Sequence, residues 1–155
     1  MIYGIFDLDD TLCLHRGNLE YEMIRPDATL SHYLRSFPGD RYILTNATHD
    51  HAIEVLERMN ILRLFKKIYA RDTTQLMKPS LELARKVNED IGITPNDTIY
   101  FFDDLAQNLW MGYSNGWTTV WIHPKHEQKY LYQWIHHGYI SVSEALKDIN
   151  TAKPL

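Results

Sequence analysis

Ile2-Tyr3-Gly4-Ile5-Phe6-Asp7-Leu8-Asp9-Asp10-Thr11 is an apolar run that breaks abruptly into carboxylates. β-Branched and aromatic residues without proline favour extended backbone, so the run predicts a buried strand over Ile2 to Phe6 with acidic groups just beyond its carboxyl end. Four later runs have the same character: Tyr42 to Leu44, Lys67 to Ala70, Thr98 to Phe102 and Thr118 to Ile122. Amphipathic stretches separate them. Ile53, Leu56 and Met59 recur at three-residue spacing, Leu83, Ala84, Val87 and Ile91 recur at helical spacing after Pro79, and Leu105 to Asn115 ends at Gly116. A further helix is expected over Thr29 to Phe37. Strands alternating with helices predict an α/β fold, a three-layer α/β/α sandwich around a parallel sheet.

The rest of the chain adds a surface excursion or helix over Pro124 to Tyr132. A short edge strand and a helix capped by Ser143 are expected between Tyr139 and Ile149, and a frayed tail over Thr151 to Leu155. No repeat or linker divides the sequence, so residues 1–155 are expected to form one core domain. The single cysteine, Cys13, excludes an internal disulfide and a cysteine-type zinc site, and its expected role is that of a small buried hydrophobe. No apolar run can span a bilayer and no leader pattern precedes the first strand, so a cytoplasmic protein without membrane contact is expected. A net charge of −4 argues against strong non-specific nucleic-acid binding.

In parallel α/β sheets, ligands bind beyond the carboxyl ends of the strands. Four polar sets fall there: Asp7-Leu8-Asp9-Asp10-Thr11, Thr45-Asn46, Lys78-Pro79 and Asp103-Asp104. Carboxylates gathered at one edge repel one another unless a cation neutralises them, and an oxygen-only ligand set favours Mg2+. Asp7 is the candidate nucleophile and, with Asp103, a candidate metal ligand. Asp9, two residues on in extended backbone, points the same way and is placed for acid–base work. The Thr45 hydroxyl and the Asn46 backbone amide suit the non-bridging oxygens of a phosphoryl group, and Lys78 adds a fixed positive charge. Asp10 reads as a solvated helix-start residue, and Asn108 either orients the acidic loop or faces solvent. The histidines read mostly as surface residues, with His49 placed closest to the Thr45-Asn46 turn. The tryptophans read as packing residues, and their density near the C-terminus leaves a homo-oligomer open.

The order Asp-x-Asp-x-Thr, Thr-Asn, Lys-Pro, Asp-Asp resembles the four motifs of haloacid dehalogenase (HAD) superfamily phosphatases. The resemblance implies a strand order of 5-4-1-2-3 and an aspartyl-phosphate intermediate on Asp7. It also implies that Asp9 is a general acid/base that ligates the metal through its carbonyl. Thr45 and Lys78 would bind phosphate, Asp103 would ligate the metal, and Asp104 would support it. Ile5-Phe6-Asp7-Leu8-Asp9, Thr45-Asn46-Ala47 and Phe102-Asp103-Asp104, with Asn108 and Gly116 beyond, are similar to the pyrimidine 5′-nucleotidase branch. Only Leu12 to Tyr42 separates the first two motifs, too little for a substantial cap beside the expected helix. An open site for a phosphorylated small molecule or macromolecule end is therefore expected. A phospho-aspartate receiver module uses similar residues in a different order, with the acidic pair first; a non-catalytic scaffold is the remaining alternative.

Overall fold

The computed structural model describes residues 1–15 and 20–152. Six parallel strands form one sheet: β1 (Ile2–Phe6), β2 (Asp40–Leu44), β3 (Lys67–Tyr69), β4 (Thr98–Asp103), β5 (Thr118–Ile122) and β6 (His137–Tyr139). Their order is β3-β2-β1-β4-β5-β6. This is the expected five-strand order with β6 added beside β5. The edge strand lies a little before Tyr139, because His137 to Tyr139 continue the ladder from Val120 to Ile122.

Alternation along the strands divides the core between two faces. Phe6, Ile43, Phe102 and Val120 pack against α1 (Ala28–Ser36), α2 (His49–Arg58) and the last helix. Ile5, Tyr42, Leu44 and Phe101 face the opposite way, onto Leu83, Ala84, Val87, Leu109 and Met111 of two later helices. After α2 come a single turn α3 (Arg71–Thr74), then α4 (Leu81–Ile91), α5 (Ala106–Ser114) and α6 (Val142–Thr151). On the first face the Phe6 and Phe102 rings lie 4.4 Å apart and nearly parallel, which joins β1 and β4 immediately before the acidic residues of each. Side-chain oxygens start four of these helices: Asp27 accepts from Leu30 N–H, Thr48 from His51 N–H, Ser80 from Leu83 N–H and Ser141 from Glu144 N–H.

Two expectations need correction. Ser141, in extended backbone, caps α6, and Ser143 lies inside the helix, because burial of Val142 draws the first turn two residues earlier. Asp10 starts no helix; it adopts a left-handed φ of 64° in a turn that reverses the chain after β1. The expected tail beyond residue 152 lies outside the described residues. So do residues 16–19, within the segment joining the first two motifs; the rest of that connection holds a 3-10 turn at Tyr21–Met23 and α1, with no cap among the described residues.

Gly112 lets α5 lie close on the sheet. A Cβ there would approach Phe101 Cδ2 to 2.5 Å and Trp117 Cε3 to 3.0 Å, and both rings are buried. Helix propensity favours alanine by up to about 1 kcal/mol, whereas overpacking costs roughly 1–3 kcal/mol. Gly112→Ala is expected to lower unfolding stability in urea titration with little change in slope; a stabilised variant would refute the close approach.

Candidate active site

The loop after β1 is built on one carbonyl. The amides of Thr11, Leu12 and Cys13 all donate to Leu8 C=O, at 3.2, 2.9 and 3.0 Å, while Asp10 N–H donates to Cys13 C=O at 2.7 Å. This tight turn leaves Asp7 continuing the sheet, its N–H donating to Phe102 C=O at 2.9 Å. The Thr11 hydroxyl turns back and donates to Asp7 Oδ2 at 2.8 Å. One oxygen of Asp7 is thereby fixed from its own loop.

The other oxygen meets Lys78. Its ammonium is buried and donates to Asp7 Oδ1 at 2.9 Å, to Asp103 Oδ2 at 2.8 Å and to Leu44 C=O at 2.8 Å. All three donors of the ammonium are engaged by protein oxygens, so Lys78 acts as a fixed charge joining the ends of β1, β2 and β4. Asn46 secures the Lys78 backbone, accepting from its N–H at 2.7 Å and donating to its C=O at 3.0 Å. The Thr45 hydroxyl accepts from Ala47 N–H at 3.0 Å, which shapes the turn after β2. Asp103, fully buried, also accepts from Leu105 N–H at 3.0 Å, and buried Asn108 on α5 reaches both its oxygens at 3.3 and 3.4 Å.

Asp7, Asp103 and Asp104 each place a carboxylate oxygen so that all three lie within 4.8 Å of one another. One ammonium against three carboxylates leaves the cluster short of positive charge. The pKa directions express this. Burial works against a charged Lys78, but Asp103 and Asp7 outweigh it and raise its pKa. Burial and Asp7 together raise Asp103 despite the lysine. Burial, its hydrogen bond with Asp7 and the charge of Asp103 push Asp104 up to about 8. Hard oxygen donors with unmet negative charge fit a divalent cation such as Mg2+.

Asp9 stands apart from this cluster. Its side chain meets two imidazoles: His51 Nε2 lies 2.9 and 3.0 Å from its two oxygens, and His15 Nε2 lies 3.1 Å from Oδ1. Tyr21 Oη lies 2.7 Å from His51 Nδ1. Reading the sequence for surface histidines missed these groups. Their signal is positional: His51 lies in the first turn of α2, directly after the Thr45-Asn46 turn, where side chains border the carboxyl edge. His49, the histidine favoured by proximity in sequence, has its N–H bound to Asp72 Oδ1 at 2.9 Å. Two tryptophans also serve the acidic loop: Trp121 Nε1–H donates to Asp104 C=O at 2.9 Å and Trp134 Nε1–H to Ala106 C=O at 2.6 Å. Cys13 is buried, and burial with Asp9 and Asp10 nearby pushes its thiol up to about 11, which leaves little reactive thiolate.

Residues 40–122, just over half of the chain, match the family model described as haloacid dehalogenase-like hydrolase. The chain belongs to that family. Comparison with curated protein sequences finds no match. Among solved structures of the same fold, a dehalogenase captured with an intermediate superposes with a TM-score of 0.67 at 21% identity, over 80% of this chain and 54% of that one. L-2-haloacid dehalogenase from Xanthobacter autotrophicus gives 0.65 at 14% identity, over 86% and 64%. The core domain of a proposed phosphoglycolate phosphatase from Streptococcus pneumoniae TIGR4 gives 0.65 at 16% identity, over 97% and 96%. The HAD chain described here thus spans 54–64% of the length of the dehalogenases and nearly all of an isolated core domain. No helix among the described residues is long and apolar enough to cross a membrane.

The raised pKa of Asp104 has a testable sign. Between its ordinary value of 3.8 and about 8 the folded state holds a proton that the unfolded state releases, so stability falls as pH rises through that window. The raised pKa of Lys78 acts only above its ordinary value of 10.5. A cation bound in the cluster would replace the proton. The rise in melting temperature on adding Mg2+ to chelator-treated protein is therefore expected to be larger at pH 8 than at pH 6; an equal rise would contradict the assigned cluster.

Proposed function

We propose that this HAD-like hydrolase is a Mg2+-dependent phosphomonoester phosphatase working through an aspartyl-phosphate on Asp7. The observation that carries the reading is the buried junction of Asp7 and Asp103 on the Lys78 ammonium, with part-buried Asp104 beside them. A displacement at carbon by a lone carboxylate has no use for two further carboxylates beside the nucleophile, since they would repel an anionic substrate. Phosphoryl transfer does use them, as holders of the cation that offsets phosphate charge. Among the fold neighbours, the proposed phosphoglycolate phosphatase and a proposed beta-phosphoglucomutase from Thermotoga maritima, with a TM-score of 0.68 at 19% identity over 86% of this chain and 63% of that one, are named for phosphoryl chemistry.

In this reading Asp7, Asp103 and the Asp9 carbonyl hold Mg2+, with Asp104 supporting them, and the ion when bound supplies positive charge to the phosphoryl oxygens. Asp7, fixed on one oxygen by Thr11 and on the other by Lys78, attacks phosphorus as the ester P–O bond breaks. The Asp9 carboxyl gives its proton to the departing oxygen. Water then attacks the same phosphorus, gives its proton back to Asp9 and frees Asp7 and inorganic phosphate. Lys78 and Thr45 with Asn46 stabilise the charge on the non-bridging oxygens, Lys78 through its fixed field. The short connection between β1 and β2 supports an open site, suited to a phosphorylated small molecule or the end of a larger one. Asp9 is correspondingly part-exposed.

Purified protein is expected to hydrolyse p-nitrophenyl phosphate with added Mg2+ and to lose that activity with chelator. Asp7→Asn is expected to reduce turnover to background with its melting temperature retained. Undiminished turnover by Asp7→Asn, or none by folded wild type across a panel of phosphate esters, would refute the proposal.

A further inference from the structure

We propose that His51, held by Tyr21, is a positioning residue that fixes the Asp9 carboxyl for proton transfer; this rests on the phosphatase reading above. By its place in the chain Asp9 is less constrained than buried Asp7 and Asp103. It lies on a turn, next to a residue with φ of 64°, and its side chain is 28% exposed. Left to itself such a carboxyl rotates among solvated rotamers, and a proton donor out of line with the leaving oxygen contributes little.

His51 removes that freedom. Its Nε2 reaches both Asp9 oxygens, which fixes the plane of the carboxyl as well as its position. Both the ionised carboxylate and the C=O oxygen of the protonated acid accept, so Nε2–H donates to Asp9 in either form and leaves the acid's O–H for the substrate, while Nδ1 accepts from the Tyr21 hydroxyl. Tyr21 therefore selects the ring tautomer that can hold Asp9. The ring is anchored further by its place in α2, whose Thr48 cap accepts from His51 N–H at 3.3 Å. The same helix begins directly after Thr45-Asn46, so the phosphate turn and the acid are held by one element. His15 Nε2, 3.1 Å from Asp9 Oδ1, supports the carboxyl from the β1 loop. His51 neither attacks nor exchanges the reacting proton: the ester P–O bond breaks, its electron pair goes to the leaving oxygen, and the proton comes from Asp9, which regains one from water in the second half-reaction.

Leaving-group dependence separates positioning from general structural damage. p-Nitrophenolate departs without a proton, whereas the alkoxide of an alkyl phosphate such as β-glycerophosphate needs one. General acid catalysis contributes roughly 10²–10⁴-fold. His51→Ala is expected to lower kcat/KM for β-glycerophosphate by about 10²-fold and that for p-nitrophenyl phosphate by less than about tenfold. His51→Gln, which returns an N–H near the Nε2 position, is expected to recover most of the loss, and Tyr21→Phe to fall between wild type and His51→Ala. If His51→Ala fails to fold, the ratio of the two substrates in His51→Gln and Tyr21→Phe decides the matter. Equal losses on both substrates, or undiminished β-glycerophosphate turnover, overturn the positioning role while leaving the phosphatase reading standing. Wild type that turns over neither ester overturns both.

Discussion

The Lys78 ammonium, buried between Asp7 and Asp103 at 2.9 and 2.8 Å, is the contact on which the carboxyl edge of the sheet depends. It ties β1, β2 and β4 together through Asp7, Leu44 C=O and Asp103, so three segments distant in sequence share one charge. A buried ion pair of this kind is a poor source of stability, because taking the charges out of water offsets most of their attraction. Its value is in placement. The cluster keeps more negative charge than the lysine can answer, and that excess fits a divalent cation.

The surrounding structure holds this costly arrangement in position. Phe6 and Phe102 stack directly behind Asp7 and Asp103, and the Asn46 side chain fixes the Lys78 backbone with two hydrogen bonds. Trp121 and Trp134, at the end of β5 and beyond, hold the carbonyls of Asp104 and Ala106, so the loop carrying the acidic pair is braced from the sheet edge. Rigid support for Asp7 contrasts with the part-exposed Asp9, which is steadied by side chains from another helix and from its own loop. That division suits a reaction in which one carboxylate stays still and the other moves a proton.

Much of this was legible in the residues. Apolar runs without proline located the first five strands to within a few residues, because buried parallel strands carry their signal in composition and need no partner to be recognised. The acidic groups were legible because they follow those runs directly, where the topology gathers strand ends; Lys78 stands farther on, beyond α3, and was marked by the Lys-Pro pair. What the sequence concealed depends on side chains meeting across elements. The Asn46 side chain holds the Lys78 backbone, a contact beyond the backbone amide read from the sequence; His51 reads as one more histidine in an amphipathic helix until α2 folds beside the β1 loop. Tyr21 sits in a connection with no periodic pattern, so nothing local marked it. Asp10 and Ser143 differ from their sequence readings because a turn closed on Leu8 C=O places Asp10 at left-handed φ, and burial of Val142 starts α6 two residues earlier, which outweighs local propensity.

The account turns on whether the negative excess around Lys78 receives a metal. Diffraction from crystals soaked in Mn2+, with anomalous data collected at the manganese edge, tests this most directly. A single strong peak bounded by Asp7, Asp103 and Asp104 is the predicted result. Well-ordered crystals with no peak among these carboxylates, or with manganese bound only elsewhere, would contradict it.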